Sequence, residues 1–410
     1  MAISAITTNR RHPGRTRALA ATRTTIGALL TAAAHTFTKD KERVQTRVNL
    51  RRLAATIALI AIVAVGPGAF ATPAGAATGP TARLRDGTVT VTGTAARDQI
   101  RVTLDTDRLT VDFGFDGTVD ARFPRTRVTA VQVLGGDGDD GLSVDGAGVG
   151  DVPITISGGS GNDGGGVVGN IGDFGDGDLP VTIFGDDGND NFLAAAPGPV
   201  TVDAGTGDDL VDGGGAGTGQ ETISLGDGND RFVSDLNAFV GARSDIVDGG
   251  TGQDTLEMRG SFASEAVSLS ADAGHLIVDH AVRDHIDANG IENVTWFGFG
   301  GLDESGFGDQ VAVNDLSGTD VATFTPNFSS PFDGTAPNNS ADQLTVRGTA
   351  GDDHITVSGS GANITVTGLT PTVTPVLLDA QDILRIDTLD GRDTVDRSRL
   401  ERGLVQLQVF

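Results

Sequence analysis

Residues 135–143 read Gly-Gly-Asp-Gly-Asp-Asp-Gly-Leu-Ser, and this stretch decides the fold because five variants of it follow before residue 258. Each copy has the order small residue, Gly, any residue, Gly, any residue, Asp, any residue, apolar residue, any residue. The copies begin at Gly135, Gly158, Gly185, Ala204, Leu225 and Gly249. Their sixth positions are Asp140, Asp163, Asp190, Asp209, Asp230 and Asp254. Six copies that keep both the glycines and the acid indicate one structural unit built repeatedly.

The residue types in each copy fit a turn that holds a calcium ion. Closely set glycines permit positive φ angles and a close approach of the backbone. Calcium takes carboxylate and backbone carbonyl oxygens at about 2.3–2.6 Å, and the Asp supplies the carboxylate. The apolar residue two places later begins a short strand that buries its side chain. The pattern therefore predicts a Ca²⁺ site at each Asp, followed by a strand.

The spacing of the six acids predicts how the copies stack. Successive acids are separated by 23, 27, 19, 21 and 24 residues. Two nine-residue halves give a repeat of about 18 residues, so each interval is one such repeat with a small loop insertion. We expect an all-β fold, a right-handed parallel β-roll or β-helix solenoid. The six Asp side chains would then stack on one side, with Ca²⁺ shared between successive turns.

Some copies depart from the pattern. Gly165 takes the place of the apolar residue in the second copy, and Asp186 that of a glycine in the third, which weakens both sites. On the opposite side, Glu221 and Asp245 lie nine residues before Asp230 and Asp254. They predict at most a fragment of a second acidic row.

The N-terminal residues have the composition of a targeting segment. After Arg51-Arg52 comes an apolar run, residues 53–65, and then small residues that end at Ala77. This order is typical of a secretory signal peptide, and the run is short for a membrane span. A membrane anchor is the alternative. We expect translation to start near Val44 or Val48, which would make the preceding basic residues over-called sequence.

The charge of the remaining chain excludes several partners. Residues 1–77 hold 11 of the 29 Lys and Arg but only 2 of the 55 Asp and Glu, so the remainder has a formal charge of −35. Such a charge argues against binding nucleic acid or an anionic membrane. Because the chain contains no Cys, bound metal is the expected stabilising device for an exported protein.

Weaker patterns flank the repeats. Alternation of apolar and polar residues predicts strands at residues 89–92, 100–104, 109–113 and 128–134. The final residues, 403–410, predict an edge strand that either pairs with another surface or marks a truncation. The expected organisation is a basic start, 1–43; a signal peptide, 44–77; N-terminal β coils, 78–134; a calcium-binding β-roll, 135–258; a β insertion, 259–300; and degenerate coils, 301–410.

The glycine-rich copies resemble the nonapeptide repeats of bacterial secreted calcium-binding proteins of the haemolysin-type (RTX) class. Residues 91–95, 313–320 and 364–369 are similar to stretches that flank such repeats, but only residues 135–257 match specifically. The resemblance implies that the six Asp bind Ca²⁺ through their side chains and that the loops add backbone carbonyls. An N-terminal signal departs from the C-terminal export signal common among RTX toxins.

Enzymatic motifs are missing from the sequence. It has no His-Glu-x-x-His run, no Gly-x-Ser-x-Gly elbow and no Cys nucleophile. His280 and His285 are five residues apart and read as part of a polar loop. The chain after residue 77 is acidic and has no Lys, so it would also repel the acidic polysaccharides on which β-helix enzymes act. We therefore expect no enzyme.

The expected function is a secreted, extracellular protein that binds Ca²⁺ and folds around it, with no membrane span in the mature chain. A calcium-dependent adhesive or glycan-binding module at the cell surface is the first alternative, and a polysaccharide-modifying β-helix enzyme is the second. Aromatic residues exposed at 296–299 would favour a glycan partner, but we expect them in the core.

Overall fold

The computed structural model describes most of the chain after residue 78. The described ranges are 79–146, 152–169, 180–196, 198–213, 219–235, 243–261, 263–280, 284–299, 308–329, 336–338, 340–361 and 363–410. The predicted basic start, 1–43, and the predicted signal peptide, 44–77, lie outside these residues.

The described chain consists of short strands. Those ahead of the repeats are β1 (Thr81–Arg85), β2 (Thr88–Thr92), β3 (Gln99–Leu104), β4 (Arg108–Phe113) and β5 (Ala121–Pro124), followed by a 3-10 helix, Arg125–Arg127. Those of the repeats are β6 (Ala130–Asp137), β7 (Gly141–Gly146), β8 (Ile154–Ser160), β9 (Gly164–Gly169), β10 (Val181–Asp187), β11 (Asn191–Ala195), β12 (Val200–Asp203), β13 (Leu210–Asp212), β14 (Glu221–Ser224), β15 (Asp227–Gly228), β16 (Arg231–Asp235), β17 (Arg243–Asp248), β18 (Thr251–Gly252) and β19 (Thr255–Arg259).

The strands after the repeats are β20 (Ala266–Asp272), β21 (His275–His280), β22 (Asp284–Asn289), β23 (Asn293–Phe297), β24 (Gln310–Val313), β25 (Thr323–Asn327), β26 (Gln343–Arg347), β27 (His354–Ser360), β28 (Asn363–Thr367), β29 (Thr372–Val373), β30 (Ile383–Asp387), β31 (Thr394–Leu400) and β32 (Gln406–Val409). The described residues form no α-helix, so none there is long and apolar enough to cross a membrane. The predicted all-β class is confirmed.

Two sheets of fifteen strands contain nearly all of these elements. From β6 to β14 the chain alternates between them: even-numbered strands belong to the first sheet and odd-numbered strands to the second. From β8 to β14, each strand pairs in parallel with the strand two places earlier, as β8 does with β6 and β9 with β7. The chain therefore returns to the same sheet once per repeat, which builds long parallel ladders.

The apolar side chains of both sheets form one buried cluster. In the second sheet, the eighth residue of most copies is fully buried, including Leu142, Phe192 and Phe232. In the first sheet, Ile156 and Ile183 are buried in the same way. Side chains alternate between the two faces of a strand, so every second residue reaches this cluster.

Antiparallel pairs interrupt the parallel ladders outside the repeats. The hairpin of β20 and β21 lies in the first sheet between β22 and β24. The Trp296 side chain is buried in β23, as expected, and it packs edge to face on Phe328. Phe297 and Phe299 are only half-buried and stack on each other. Strand β32 is the last strand of the first sheet, in agreement with the predicted edge strand.

Candidate cation site: a row of buried carboxylates

The six sequence-predicted Asp residues form one row along the second sheet. Each immediately precedes a strand, and those strands pair in register, so the first residues of β7, β9 and β11 are direct neighbours. The backbone N–H of each acid donates to a side-chain oxygen of the next acid at 2.7–2.8 Å. We call this row the carboxylate ladder; its members are Asp98, Asp140, Asp163, Asp190, Asp209, Asp230, Asp254 and Glu292.

The ladder extends beyond the predicted acids at both ends. Asp98 precedes β3 and Glu292 precedes β23, and neither was assigned to the site from sequence. Residues 93–100 keep the acid and the apolar residue of the repeat but have Thr94 and Ala96 in place of its second and fourth glycines. The signal for Glu292 is weaker still, since it consists of an acid placed directly before an alternating strand.

The carboxylates of the six Asp are buried, with at most 4% of the residue exposed. One oxygen, Oδ1, accepts the backbone N–H of the preceding acid. The other, Oδ2, has no hydrogen-bond partner in any of the six. Among the ion pairs of the described residues, none involves these side chains. A buried anionic oxygen without a partner is costly, so the row requires either cations or protons.

Burial raises the pKa of the ladder carboxyls, as expected for buried acids without a cation. Desolvation raises the pKa of Asp190 to about 8 and that of Asp140 and Asp209 to about 7. The same cause raises the pKa of Asp163 and Asp254 to about 6. Hydrogen bonds from backbone N–H groups oppose these shifts, and neighbouring carboxylates add to them.

The pKa of Asp230 is also raised by desolvation. Without a cation, several ladder carboxyls therefore hold their protons up to about neutral pH.

Glycines at the second and fourth positions are required by backbone conformation and by stacking. All of them have φ between 92° and 154°, a region that favours glycine. A Cβ at Gly159 would lie 1.9 Å from the carbonyl oxygen of Gly136 in the preceding copy. At Gly161 it would lie 2.3 Å from that of Gly138. The turns therefore stack with backbone carbonyls directed at the next turn.

The first position of the repeat lies against the carboxylate. A Cβ at Gly135 would approach Asp140 Oδ2 to 2.4 Å. Gly158 and Gly185 have the same relation to the acids of their own copies, at 2.3 and 2.4 Å. The glycine thus leaves room for the unpartnered oxygen in the first three copies.

The two copies that deviate in sequence keep the common geometry. Asp163 and Asp190 lie in the ladder like the other four acids. Asp186, at the second position of its copy, has φ 74°, the same left-handed region that glycine occupies elsewhere. The sequence deviations of these two copies therefore do not displace their acids from the ladder.

The donor atoms at the ladder fit a calcium ion in chemical type. Carboxylate and backbone carbonyl oxygens are the ligands that Ca²⁺ prefers. Within the described ranges, no three Asp, Glu or His side chains converge on one point. A cation at the ladder would therefore take most of its ligands from backbone carbonyls and only one or two from side chains.

Shorter acidic rows occur elsewhere. Glu221 and Asp245, the predicted fragment, are joined by a bond of 3.0 Å from the N–H of Glu221 to Asp245 Oδ1. Sequence reasoning missed a longer row on the first sheet, in which each N–H donates to the next acid at 2.7–2.9 Å: Glu265, Asp309, Asp342 and Asp382. Their turns lack the glycines that identified the repeats.

The described histidines do not form a site of their own. His285 contacts Asp279 at 2.9 Å on the exposed face of the β21–β22 hairpin. His280 is buried and faces Glu265 at 3.6 Å. His280 and His285 therefore do not converge on a common point.

Comparison of the chain with protein-family models and with curated proteins gave no match.

Proposed function

We propose that the chain is a secreted calcium-binding protein whose glycine-rich turns fold as a parallel β-roll around Ca²⁺. The observation that carries this proposal is the row of six buried Oδ2 atoms without hydrogen-bond partners. Within the described part of the chain no basic side chain pairs with these carboxylates, and bound cations would neutralise them. The alternation of strands between two parallel sheets supports the β-roll architecture.

The six Asp of the repeats would hold the ions, and the stacked carbonyls of the glycine turns would supply further oxygen ligands. Calcium would provide the positive charge that the buried carboxylates lack. Extracellular calcium modules bind with dissociation constants of about 10⁻⁴–10⁻³ M. Each ion that binds only the folded state would add to stability by mass action. Without Ca²⁺, residues 135–257 are expected to be destabilised and to lose part of their order.

A calcium titration followed by far-UV circular dichroism tests the proposal. The purified chain is freed of metal with a chelator and titrated with Ca²⁺ and, separately, with Mg²⁺. We expect the β signal to rise between sub-millimolar and millimolar Ca²⁺ and to stay unchanged with Mg²⁺, which demands a tighter octahedral geometry. A chain that is fully folded in chelator and indifferent to Ca²⁺ would overturn the proposal.

Secretion and an adhesive role stay predictions. Identification of the mature N-terminus of exported protein tests the signal peptide expected at 44–77. Because Trp296 is buried, it does not offer a glycan-stacking surface. Binding to cell-surface glycans with and without Ca²⁺ would test the adhesive alternative.

A further inference from the structure

Two turns outside the six copies hold a buried carboxylate in a different way. They share the order Gly-Thr-Ala, two further residues and Asp, at residues 93–98 and 348–353. Asp98 and Asp353 are 9% and 7% exposed and precede β3 and β27. Their N–H groups donate to Asp140 Oδ1 at 2.7 Å and to Asp393 Oδ1 at 3.0 Å. In these respects they resemble the acids of the repeats.

The difference lies in the hydrogen bonds that their carboxylates accept. Thr94 donates both its backbone N–H and its hydroxyl to Asp98 Oδ2, the hydroxyl at 2.8 Å. Thr349 donates its N–H to Asp353 Oδ2 at 2.8 Å and its hydroxyl to Oδ1 at 3.0 Å. One threonine thus supplies two donors, where each Oδ2 of the six copies has none.

The backbone conformation at the second position separates the two kinds of turn. In the six copies this residue has φ between 74° and 116°, and its N–H does not reach the carboxylate. Neither Thr94 nor Thr349 is among the residues with positive φ, a region that is strained for a β-branched residue. Asp186 is informative because it has a side chain but keeps the positive φ. The Oδ2 of Asp190, in the same copy, has no hydrogen-bond partner. The backbone conformation of the second residue, and not its side chain, therefore decides whether Oδ2 receives a donor.

Both threonine turns also begin their rows. Within the described residues, no earlier turn donates an N–H to Asp98 or Asp353, whereas each of the six Asp accepts one from its predecessor. Thr94 and Thr349 therefore supply local donors to carboxylates that receive none from a preceding turn. A turn of this kind can end a row of carboxylates without a cation.

We propose that the second residue of the turn selects how the buried carboxylate is neutralised. Glycine, or Asp186 in the left-handed conformation, leaves Oδ2 for a cation. Threonine satisfies the carboxylate itself, so the turns at 93–98 and 348–353 are cation-independent caps. The inference rests on the proposed calcium binding by the six repeats.

Thr349→Gly is the sharpest test because it converts residues 348–353 to Gly-Gly-Ala-Gly-Asp-Asp, the full pattern of the repeats. Ca²⁺ bound per chain is measured by equilibrium dialysis and atomic absorption on the full-length protein. We expect the variant to bind one more Ca²⁺ than the wild type and to lose stability in chelator, with Ca²⁺ restoring it. Thr349→Ser keeps both donors and is expected to bind as the wild type does.

Two further variants test the inference even if Thr349→Gly fails to fold. Asp353→Asn is expected to bind as many Ca²⁺ ions as the wild type, whereas Asp209→Asn binds fewer. If Thr349→Gly folds without gaining an ion, or if Asp353→Asn loses one, the inference is overturned while calcium binding by the repeats stands. A wild-type chain that binds no Ca²⁺ overturns both.

Discussion

Asp208 and Asp209 are neighbours in the chain, and they allow the role of the ladder to be separated from charge alone. Asp209 is buried, and its Oδ1 accepts the N–H of Asp190 at 2.7 Å. Asp208 is exposed, and its Oδ1 accepts the N–H of Asn229 at 2.8 Å. Substitution by Asn removes one negative charge at either position and keeps an acceptor oxygen. Only Asp209→Asn changes the ladder.

The expected magnitude follows from mass action. For a dissociation constant of about 10⁻⁴–10⁻³ M, about 10 mM Ca²⁺ stabilises the folded state by about 1.4–2.7 kcal/mol per ion. Asp209→Asn should lose this increment for one ion, or twice that if neighbouring turns share two ions at Asp209. In chelator the variant should be no less stable than the wild type, because it no longer buries an unpaired carboxylate. Asp208→Asn should change the calcium increment by less than about 0.5 kcal/mol.

Urea denaturation with and without Ca²⁺ measures the increment. Trp296 is the only tryptophan of the chain and is fully buried, so its fluorescence reports unfolding. Far-UV circular dichroism should give the same midpoints if unfolding is two-state. Equal losses of the calcium increment in the two variants would refute the reasoning, because overall charge would then matter and position in the ladder would not.

Three further predictions concern pH, stacking and the core. In chelator, the free energy of unfolding should fall as the pH rises from 4 to 8, because burial raises the pKa of Asp190 from its ordinary 3.8 to about 8 and the folded state therefore binds more protons. Asp190→Asn should show a shallower slope, and urea midpoints that stay level or rise with pH would contradict the prediction. Gly159→Ala should lower the free energy of unfolding by about 1–3 kcal/mol more than Gly117→Ala does. Both glycines have positive φ, but only a Cβ at residue 159 would meet a carbonyl of the neighbouring turn, so equal thermal shifts would show that the stacking of turns is unimportant. Phe232→Ala, at a fully buried site, should lower the free energy of unfolding by about 3–5 kcal/mol. Phe184→Ala, at an exposed site, should lower it by only about 0.5 kcal/mol, and similar urea midpoints for the two variants would place Phe232 outside the stable core.

Much of the architecture could be read from local patterns. Alternation in residues 89–92 and 100–104 predicted strands that the structure has as β2 and β3, because one face of each strand is buried. Positive φ at glycines such as Gly136 and Gly138 follows from the same kind of local argument. The antiparallel hairpin between β22 and β24 could not be placed from sequence, since the partner of a strand is chosen by the whole sheet.

The sequence by itself determined that six Asp residues occupy one equivalent position and that short strands follow them, because both properties repeat with the chain. Only the tertiary structure decided that each of the six carboxylates accepts an N–H from an acid 19–42 residues away and has a second oxygen without a donor. It also separated Asp98, which Thr94 satisfies, from the acids of the six copies. The reason is physical: the donors available to a buried carboxylate depend on the backbone conformation of its turn and on the neighbouring turn, and neither is encoded at the position of the acid itself.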